Sequence, residues 1–148
     1  MDFNLTEDRR MLSDTLGRYL NDQYSLEHRN SVAYDTPFYD PAKWQELAEL
    51  GVFAALAHEE AGGFGGAGGD ISIVFEAMGK TLVCEPVLAL LMASRLLSAA
   101  GKDQSSLLDG STKYGVALSE PDAPYDLTDI AASADASHKL TGRKSAVY

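Results

Sequence analysis

Residues 86–100 are apolar nearly all round and constrain the fold more than any other feature of the sequence. Only Ser94, Arg95 and Ser98 interrupt this stretch with polar side chains. As an α-helix it would span about 22 Å, whereas a bilayer core requires about 30 Å. A helix that is hydrophobic on every side has to be surrounded by other parts of the protein. We therefore expect a buried core helix within a helical domain, not a membrane insertion.

Capping signals divide the neighbouring residues into further helices. Thr6 is a favourable N-cap, and Glu7 and Asp8 follow it where acidic groups stabilise the helix dipole. Asp40 and Pro41 form another start signal, because Pro suits the first helical position. Asp70 is interpreted as the N-cap of a later helix. The patterns predict helices over residues 7–21, 26–33, 41–50, 71–82, 86–100 and 103–110.

Glycine dominates the segment between the third and fourth of these helices. Six of the nine residues from 61 to 69 are glycine, and residues 63–68 match the pattern G-x-G-x-x-G. A dinucleotide-binding turn would need a strand before the first glycine and a βαβ pattern around it. Residues 56–60 end in His-Glu-Glu and no such pattern follows. We therefore favour an interhelical loop.

The pattern changes after Gly110. Apolar residues alternate with small or polar ones over residues 113–119, which is typical of a strand. Further strands are predicted over 128–134, 138–141 and 144–148, separated by a turn-rich loop. We expect an all-α domain over residues 1–112 and the first strands of an incomplete β-barrel domain over 113–148. The fold class is mainly α, and we expect the rest of the β domain to lie beyond residue 148.

Charge and cysteine usage narrow the possible functions. The chain has 22 acidic and 12 basic residues, and its net charge of −10 argues against nucleic acid and anionic lipid as partners. Cys84 is the only cysteine, so neither an intrachain disulfide nor a multi-cysteine metal site is possible. The three histidines lack metal-ligand spacing. We expect a cytoplasmic protein without a bound metal.

Five short segments, taken in order, resemble the acyl-CoA dehydrogenase family. None is specific by itself, but together they extend over nearly the whole chain. They are residues 3–8 (FNLTED), 59–63 (EEAGG), 75–80 (FEAMGK), 117–121 (ALSEP) and 140–144 (LTGRK). The start of the apolar helix at 85–88 also resembles the branch of pimeloyl-CoA dehydrogenase small subunits.

The resemblance implies a fold and a chemistry. The fold is an N-terminal helical domain, a middle β domain and a C-terminal helical domain. The implied cofactor is FAD and the implied substrate is an acyl-CoA, which is desaturated between its α and β carbons. Implied partners are a flavin electron acceptor protein and further subunits in a homo-oligomer or heteromer.

The resemblance also assigns site residues. Contacts with the flavin fall on Val116, Leu118, Ser119, Tyr125 and Tyr148. Acyl-CoA contacts fall on Leu90, Leu91, Ser94 and Tyr125, although plain core packing is the simpler interpretation of the apolar helix. Pro124, Tyr125 and Ala146 differ from the residues that are usual in the family at those positions.

The family's catalytic carboxylate lies in its C-terminal domain, so we expect no catalytic residue in this chain. Residues 1–148 alone are expected to be inactive and to hold FAD weakly or not at all. Two alternatives stay open: a non-catalytic subunit of a heteromeric acyl-CoA dehydrogenase, and a related flavin-dependent oxidase or monooxygenase.

Overall fold

The computed structural model describes residues 4–123 and 125–148, and within them helices are followed by one small antiparallel sheet. One 3₁₀ turn, Glu59–Ala61, lies in the glycine-rich region. The helices are α1 (Glu7–Gln23), α2 (Leu26–Ala33), α3 (Pro41–Glu49), α4 (Val52–Leu56), α5 (Gly68–Thr81), α6 (Val87–Ala99) and α7 (Ser105–Leu108), and the strands are β1 (Ser133–Ala134) and β2 (Leu140–Thr141).

The helix starts that were predicted from capping residues are largely confirmed. Thr6 Oγ1 accepts a hydrogen bond from the backbone N–H of Arg9. Asp40 Oδ1 accepts from the N–H of Ala42 at 2.8 Å, with Pro41 at the first helical position. These contacts satisfy N–H groups that have no partner inside the helix.

A single hydrophobic core joins α1, α3, α4, α5, α6 and α7. Trp44 lies within it, with its ring centroid 4.4 Å from that of Phe53 and its Nε1–H donating to the carbonyl of Gly110 at 2.9 Å. The largest fully buried side chains include Leu16, Leu20, Leu47, Phe53, Leu56 and Leu107.

Helix α6 is a core helix on one face only. Val87, Leu90 and Ala93 are buried, as predicted, but Leu88 and Leu96 are 48% and 50% exposed on the opposite face. The expectation that the helix is surrounded on every side is thus wrong for the described residues. None of the helices in the described ranges is long and apolar enough to cross a membrane.

Two details of the helical prediction were wrong. Gly51 does end α3 with a positive φ of 78°, but α4 begins immediately after it and was not predicted. Five apolar residues are too few to show a helical period. Helix α5 begins at Gly68 and not after Asp70, because the Asp70 carboxylate accepts from the N–H of Ala67, three residues earlier. Residues 62–67 of the glycine-rich segment are confirmed as an interhelical loop, whereas Gly68 and Gly69 form the start of α5.

The strands are shorter than predicted. Among the residues that the structure describes, a ladder forms only between 133–134 and 140–141, where Ser133 faces Thr141 and Ala134 faces Leu140. The predicted strands 113–119 and 144–148 meet through a single antiparallel bridge between Ala117 and Val147. Alternation of side chains specifies an extended backbone, but a strand also needs a hydrogen-bonding partner along its length. Such partners exist for only a few of these residues within the described ranges.

Candidate functional site

Two extended segments, 116–119 and 145–148, run antiparallel beside the helical core. The backbone N–H and C=O of Val116 are both paired with those of Tyr148, at 3.0 Å each. The N–H of Ser145 donates to the carbonyl of Ser119 at 2.9 Å. We call these two segments the paired edge. It is anchored to the helical domain by Val116, which belongs to the hydrophobic core cluster.

An ion pair between a buried carboxylate and a half-buried lysine holds one end of the paired edge. Lys144 Nζ lies 2.9 Å from Glu120 Oε1 and donates a second hydrogen bond to the carbonyl of Leu118 at 3.0 Å. Glu120 is only 6% exposed, and its two oxygens also accept from the N–H groups of Ala131 and Ala132, at 2.8 and 3.0 Å. Three donors therefore satisfy one buried carboxylate, as a buried charge requires.

The same contacts fix the charge of Glu120. The hydrogen bond from Lys144, followed by that from the Ala131 N–H, holds the pKa of the Glu120 carboxyl below its ordinary value. Donors that bind the ionised form stabilise it against protonation. Glu120 is thus a fixed anion next to Ser119, and Lys144 is its fixed counter-ion.

The structure gives the predicted flavin residues different environments. The side chain of Val116 is buried in the helical core and its backbone groups are used by Tyr148. The side chain of Leu118 packs against the same core. The Ser119 hydroxyl and the Ser119 N–H have no hydrogen-bond partner among the described residues, so Ser119 offers the open polar groups of this edge.

The two tyrosines assigned to the flavin lie on the surface. Tyr125 is 99% exposed, and Tyr148 is 51% exposed while its backbone pairs with Val116. Pro124, which precedes Tyr125 and carries one of the departures from the family, lies outside the described residues, as does Phe3 of the first family-like segment. The structure brings Tyr148 to the paired edge but shows no contact between Tyr125 and that edge.

The residues assigned to the acyl chain lie on α6 with unequal exposure. Leu90 and Ser94 are buried, whereas Leu91 is half-buried. The Ser94 hydroxyl donates to Gln104 Oε1 at 2.7 Å, and Gln104 Nε2 donates to the Ser98 hydroxyl at 2.7 Å. This buried chain joins α6 to the residue that precedes α7. Of the three residues, Leu91 has the side chain that a ligand can reach without repacking the core.

Sequence reasoning missed the residues that hold the glycine-rich loop against α6. The Arg95 guanidinium donates to the carbonyl of Gly66 and contacts the ring nitrogen of His58. The loop also lies close to the end of α4, because a Cβ built on Gly63 would be 2.2 Å from the carbonyl oxygen of Ala57. Arg95 interrupts an otherwise apolar helix, and this was the signal that could have identified it.

Comparison with known proteins decides the family. The model of the acyl-CoA dehydrogenase N-terminal domain matches residues 6–105, from the cap of α1 to the start of α7. The chain belongs to the acyl-CoA dehydrogenase family. The resemblance inferred from the five segments is thereby confirmed.

Relatives in this family agree over most of the chain. Acyl-CoA dehydrogenase IpdE2 of Mycolicibacterium smegmatis is 31% identical over 88% of the chain, and its counterpart in Mycobacterium tuberculosis is 30% identical over 86%. Benzylmalonyl-CoA dehydrogenase of Aromatoleum aromaticum is 27% identical over 98%. The chain spans 41–43% of the length of these acyl-CoA dehydrogenases.

Solved structures confirm the predicted fold class. A chain of the ChsE4–ChsE5 complex from Mycobacterium tuberculosis superposes with a TM-score of 0.80 at 23% identity, covering 99% of this chain and 42% of that one. A variant of the Tcur3481–Tcur3483 steroid acyl-CoA dehydrogenase (ACAD) gives 0.82 at 24% identity, covering 95% and 41%. At these identities the match establishes the helical fold alone.

Proposed function

We propose that this chain is the N-terminal part of a FAD-dependent acyl-CoA dehydrogenase that desaturates the α,β bond of an acyl-CoA thioester. The chain's place in the family supports the reaction type, and its share of the relatives' length supports its being one part of the enzyme. The proposal divides the parent protein at about residue 112, with the paired edge opening a β domain.

The paired edge is the observation that carries the proposal. It presents the Ser119 hydroxyl and the Ser119 N–H, which have no partners among the described residues, beside Val116 and Leu118, which pack into the helical core. The pyrimidine edge of a flavin offers carbonyl and imide groups that need donors and an acceptor, and a serine hydroxyl can serve as either. The donor set at this edge therefore fits a flavin.

In the proposed reaction this part of the chain binds and orients; it does not carry out the proton transfer. Bound FAD would supply hydride acceptance, which is the cofactor's own chemistry. Ser119 would hold the flavin edge through its hydroxyl and its backbone N–H. Leu91 on α6 would line the acyl side of the site and help to exclude water. The carboxylate that removes the α-proton is proposed to lie outside these 148 residues.

Several finer assignments belong to the same proposal. The complete enzyme would pass its electrons to a separate flavin electron acceptor protein. We propose that it works in the cytoplasm. Assembly into a homo-oligomer or heteromer is proposed because solved relatives include the ChsE4–ChsE5 complex, which has two components.

The proposal is tested by turnover of the full-length protein. It would be purified with added FAD and supplied with an artificial electron acceptor and separate acyl-CoA thioesters: straight-chain, benzylmalonyl and steroid-derived. The last two are chosen because relatives carry those substrates in their names. We expect one class to yield a product lighter by two hydrogen atoms. No acceptor reduction with any thioester would contradict the proposal.

A non-catalytic subunit is the second candidate. It is favoured by Tyr125, which is 99% exposed and makes no contact with the paired edge, and by Ala146 in place of the family's usual larger residue. In that case the protein would bind FAD or turn over an acyl-CoA only with a partner subunit. Unaided turnover by the purified protein would refute this alternative.

A further inference from the structure

We propose that Glu120 and Lys144 are positioning residues that set both the place of Ser119 and the electrostatic balance at the flavin edge. This inference rests on the proposed function, because it assumes that a flavin binds at the paired edge. It goes further by giving a role to two charged residues that the resemblance did not assign.

The ammonium of Lys144 replaces part of the backbone ladder. After the Ala117–Val147 bridge, a regular antiparallel pairing would bring Leu118 opposite Ala146. Here the Leu118 carbonyl accepts from Lys144 Nζ at 3.0 Å, and the next backbone bond runs from Ser145 to Ser119. The side chain of Lys144 therefore fixes the backbone immediately before Ser119.

Glu120 joins the backbone beside Ser119 to a third segment, residues 131–132. Its carboxylate accepts from Lys144 and from the two successive N–H groups of Ala131 and Ala132. With 6% exposure it is shielded from solvent, so its partners cannot readily be replaced by water. Replacing Lys144 leaves the buried Glu120 carboxylate without its counter-ion, which is strongly unfavourable, whereas replacing Glu120 leaves the partly exposed Lys144 ammonium unpaired.

The charges of the pair lead to a prediction that geometry alone does not make. Reduction of a flavin adds negative charge, which a nearby cation favours and a nearby anion opposes. Glu120→Gln would leave Lys144 as an unbalanced cation and raise the flavin reduction potential. Lys144→Met would leave Glu120 as an unbalanced anion and lower it. A purely structural role would instead move both variants in one direction, or neither.

The experiment measures the flavin midpoint potential and the FAD dissociation constant in the full-length protein. The variants are Glu120→Gln, Lys144→Met and the double substitution, with Glu76→Gln as the matched control. Glu76 forms an ion pair with Lys80 at 2.8 Å, but both side chains are about 70% exposed on α5, and exposed pairs contribute little. We expect opposite shifts in the two single variants and an intermediate potential in the double variant. FAD binding should weaken roughly tenfold in each single variant, which is the effect of losing about one hydrogen bond. The control should show no change.

Shifts of the same sign, or no shift, would overturn the inference. If Lys144→Met does not fold, Lys144→Arg keeps the charge and alters the geometry. It is expected to weaken FAD binding with a potential close to that of the wild type, and a lowered potential in this variant would also overturn the inference. A wild-type protein that binds no FAD would refute the proposed function itself. A wild type that binds FAD, with potentials unmoved in the variants, would refute only the role of the pair.

Discussion

Arg9 near the start of α1 binds Asp70 in the first turn of α5, with Nε 2.8 Å from Oδ1 and Nη2 3.4 Å from Oδ2. The same carboxylate accepts from the N–H of Ala67 at 2.9 Å, so it caps α5 while it joins that helix to α1. The Asp70 side chain is 16% exposed. One residue thus fixes the end of the glycine-rich loop and the packing of two helices.

Replacing Asp70 is expected to destabilise the protein. Asp70→Ala removes the contact with the Ala67 N–H and leaves Arg9 without its partner, and loss of a capping side chain costs about 1–2 kcal/mol. Chemical denaturation would measure this as a lower free energy of unfolding. Asp14→Ala, at an exposed position of α1, is the control and should change stability by less than about 0.5 kcal/mol. Equal losses in the two variants would contradict the role of the cap.

The contribution of Asp70 should depend on pH in a defined direction. The hydrogen bond from Arg9 is the main reason that the pKa of the Asp70 carboxyl lies below its ordinary value. A depressed folded-state pKa stabilises the fold above the unfolded-state pKa of about 4, and the effect is lost as pH falls through the folded-state pKa. The stability difference between wild type and Asp70→Asn should therefore be constant from pH 7 to about 5 and shrink below that. A difference that grows on acidification would contradict this account.

Gly63 should tolerate no side chain. A Cβ there would lie 2.2 Å from the Ala57 carbonyl oxygen and 2.7 Å from that of Ala54, and neither backbone group can move away easily. Gly63→Ala is expected to lower the free energy of unfolding by about 1–3 kcal/mol or more. Gly68→Ala is the matched control, since no atom lies within 4 Å of its Cβ in the first turn of α5. Thermal unfolding of both variants measures the difference, and Gly68→Ala should be neutral or slightly stabilising.

Ser94 should contribute to the stability of the fold and not to the binding of the acyl-CoA. Ser94→Ala leaves Gln104 Oε1 without the donor that now lies 2.7 Å away in the core, at a cost of about 1–3 kcal/mol. Leu91→Ala, at a half-buried position of the same helix, should instead raise the apparent KM for the acyl-CoA with a smaller loss of stability. Unfolding and steady-state kinetics on both variants separate the two effects. A raised KM with unchanged stability in Ser94→Ala would contradict the structural assignment.

The helices could be predicted where local chemistry decides them. Thr6 and Asp40 satisfy N–H groups within three residues of their own position, so their roles are visible in the sequence. Asp70 was misplaced by three residues because aspartate can cap a helix from within its first turn as well as from the N-cap. Helix α4 was missed because its residues are all apolar and show no period.

The candidate site was predicted less completely, because it forms only when segments that are distant in the sequence pair in the folded chain. Ser119 came from a family-like segment, but Glu120 and Lys144 are 24 residues apart and nothing local joins them. Glu120 is the one charged residue of its segment, and Lys144 is one of two in the other; opposite charges in two family-like segments were the available signal. Ser94 was assigned to the acyl-CoA site from the family resemblance, whereas its contact with Gln104 depends on how α6 packs against the residue that precedes α7.

The visible absorption spectrum of the purified full-length protein, recorded under anaerobic conditions with FAD and then with each acyl-CoA, tests the central claim most directly. We predict a bound flavin spectrum that is bleached by at least one thioester, because hydride transfer from the substrate reduces the flavin. A protein that stays colourless after incubation with FAD, or a flavin spectrum that no acyl-CoA changes, would contradict the assignment of this chain to a FAD-dependent acyl-CoA dehydrogenase.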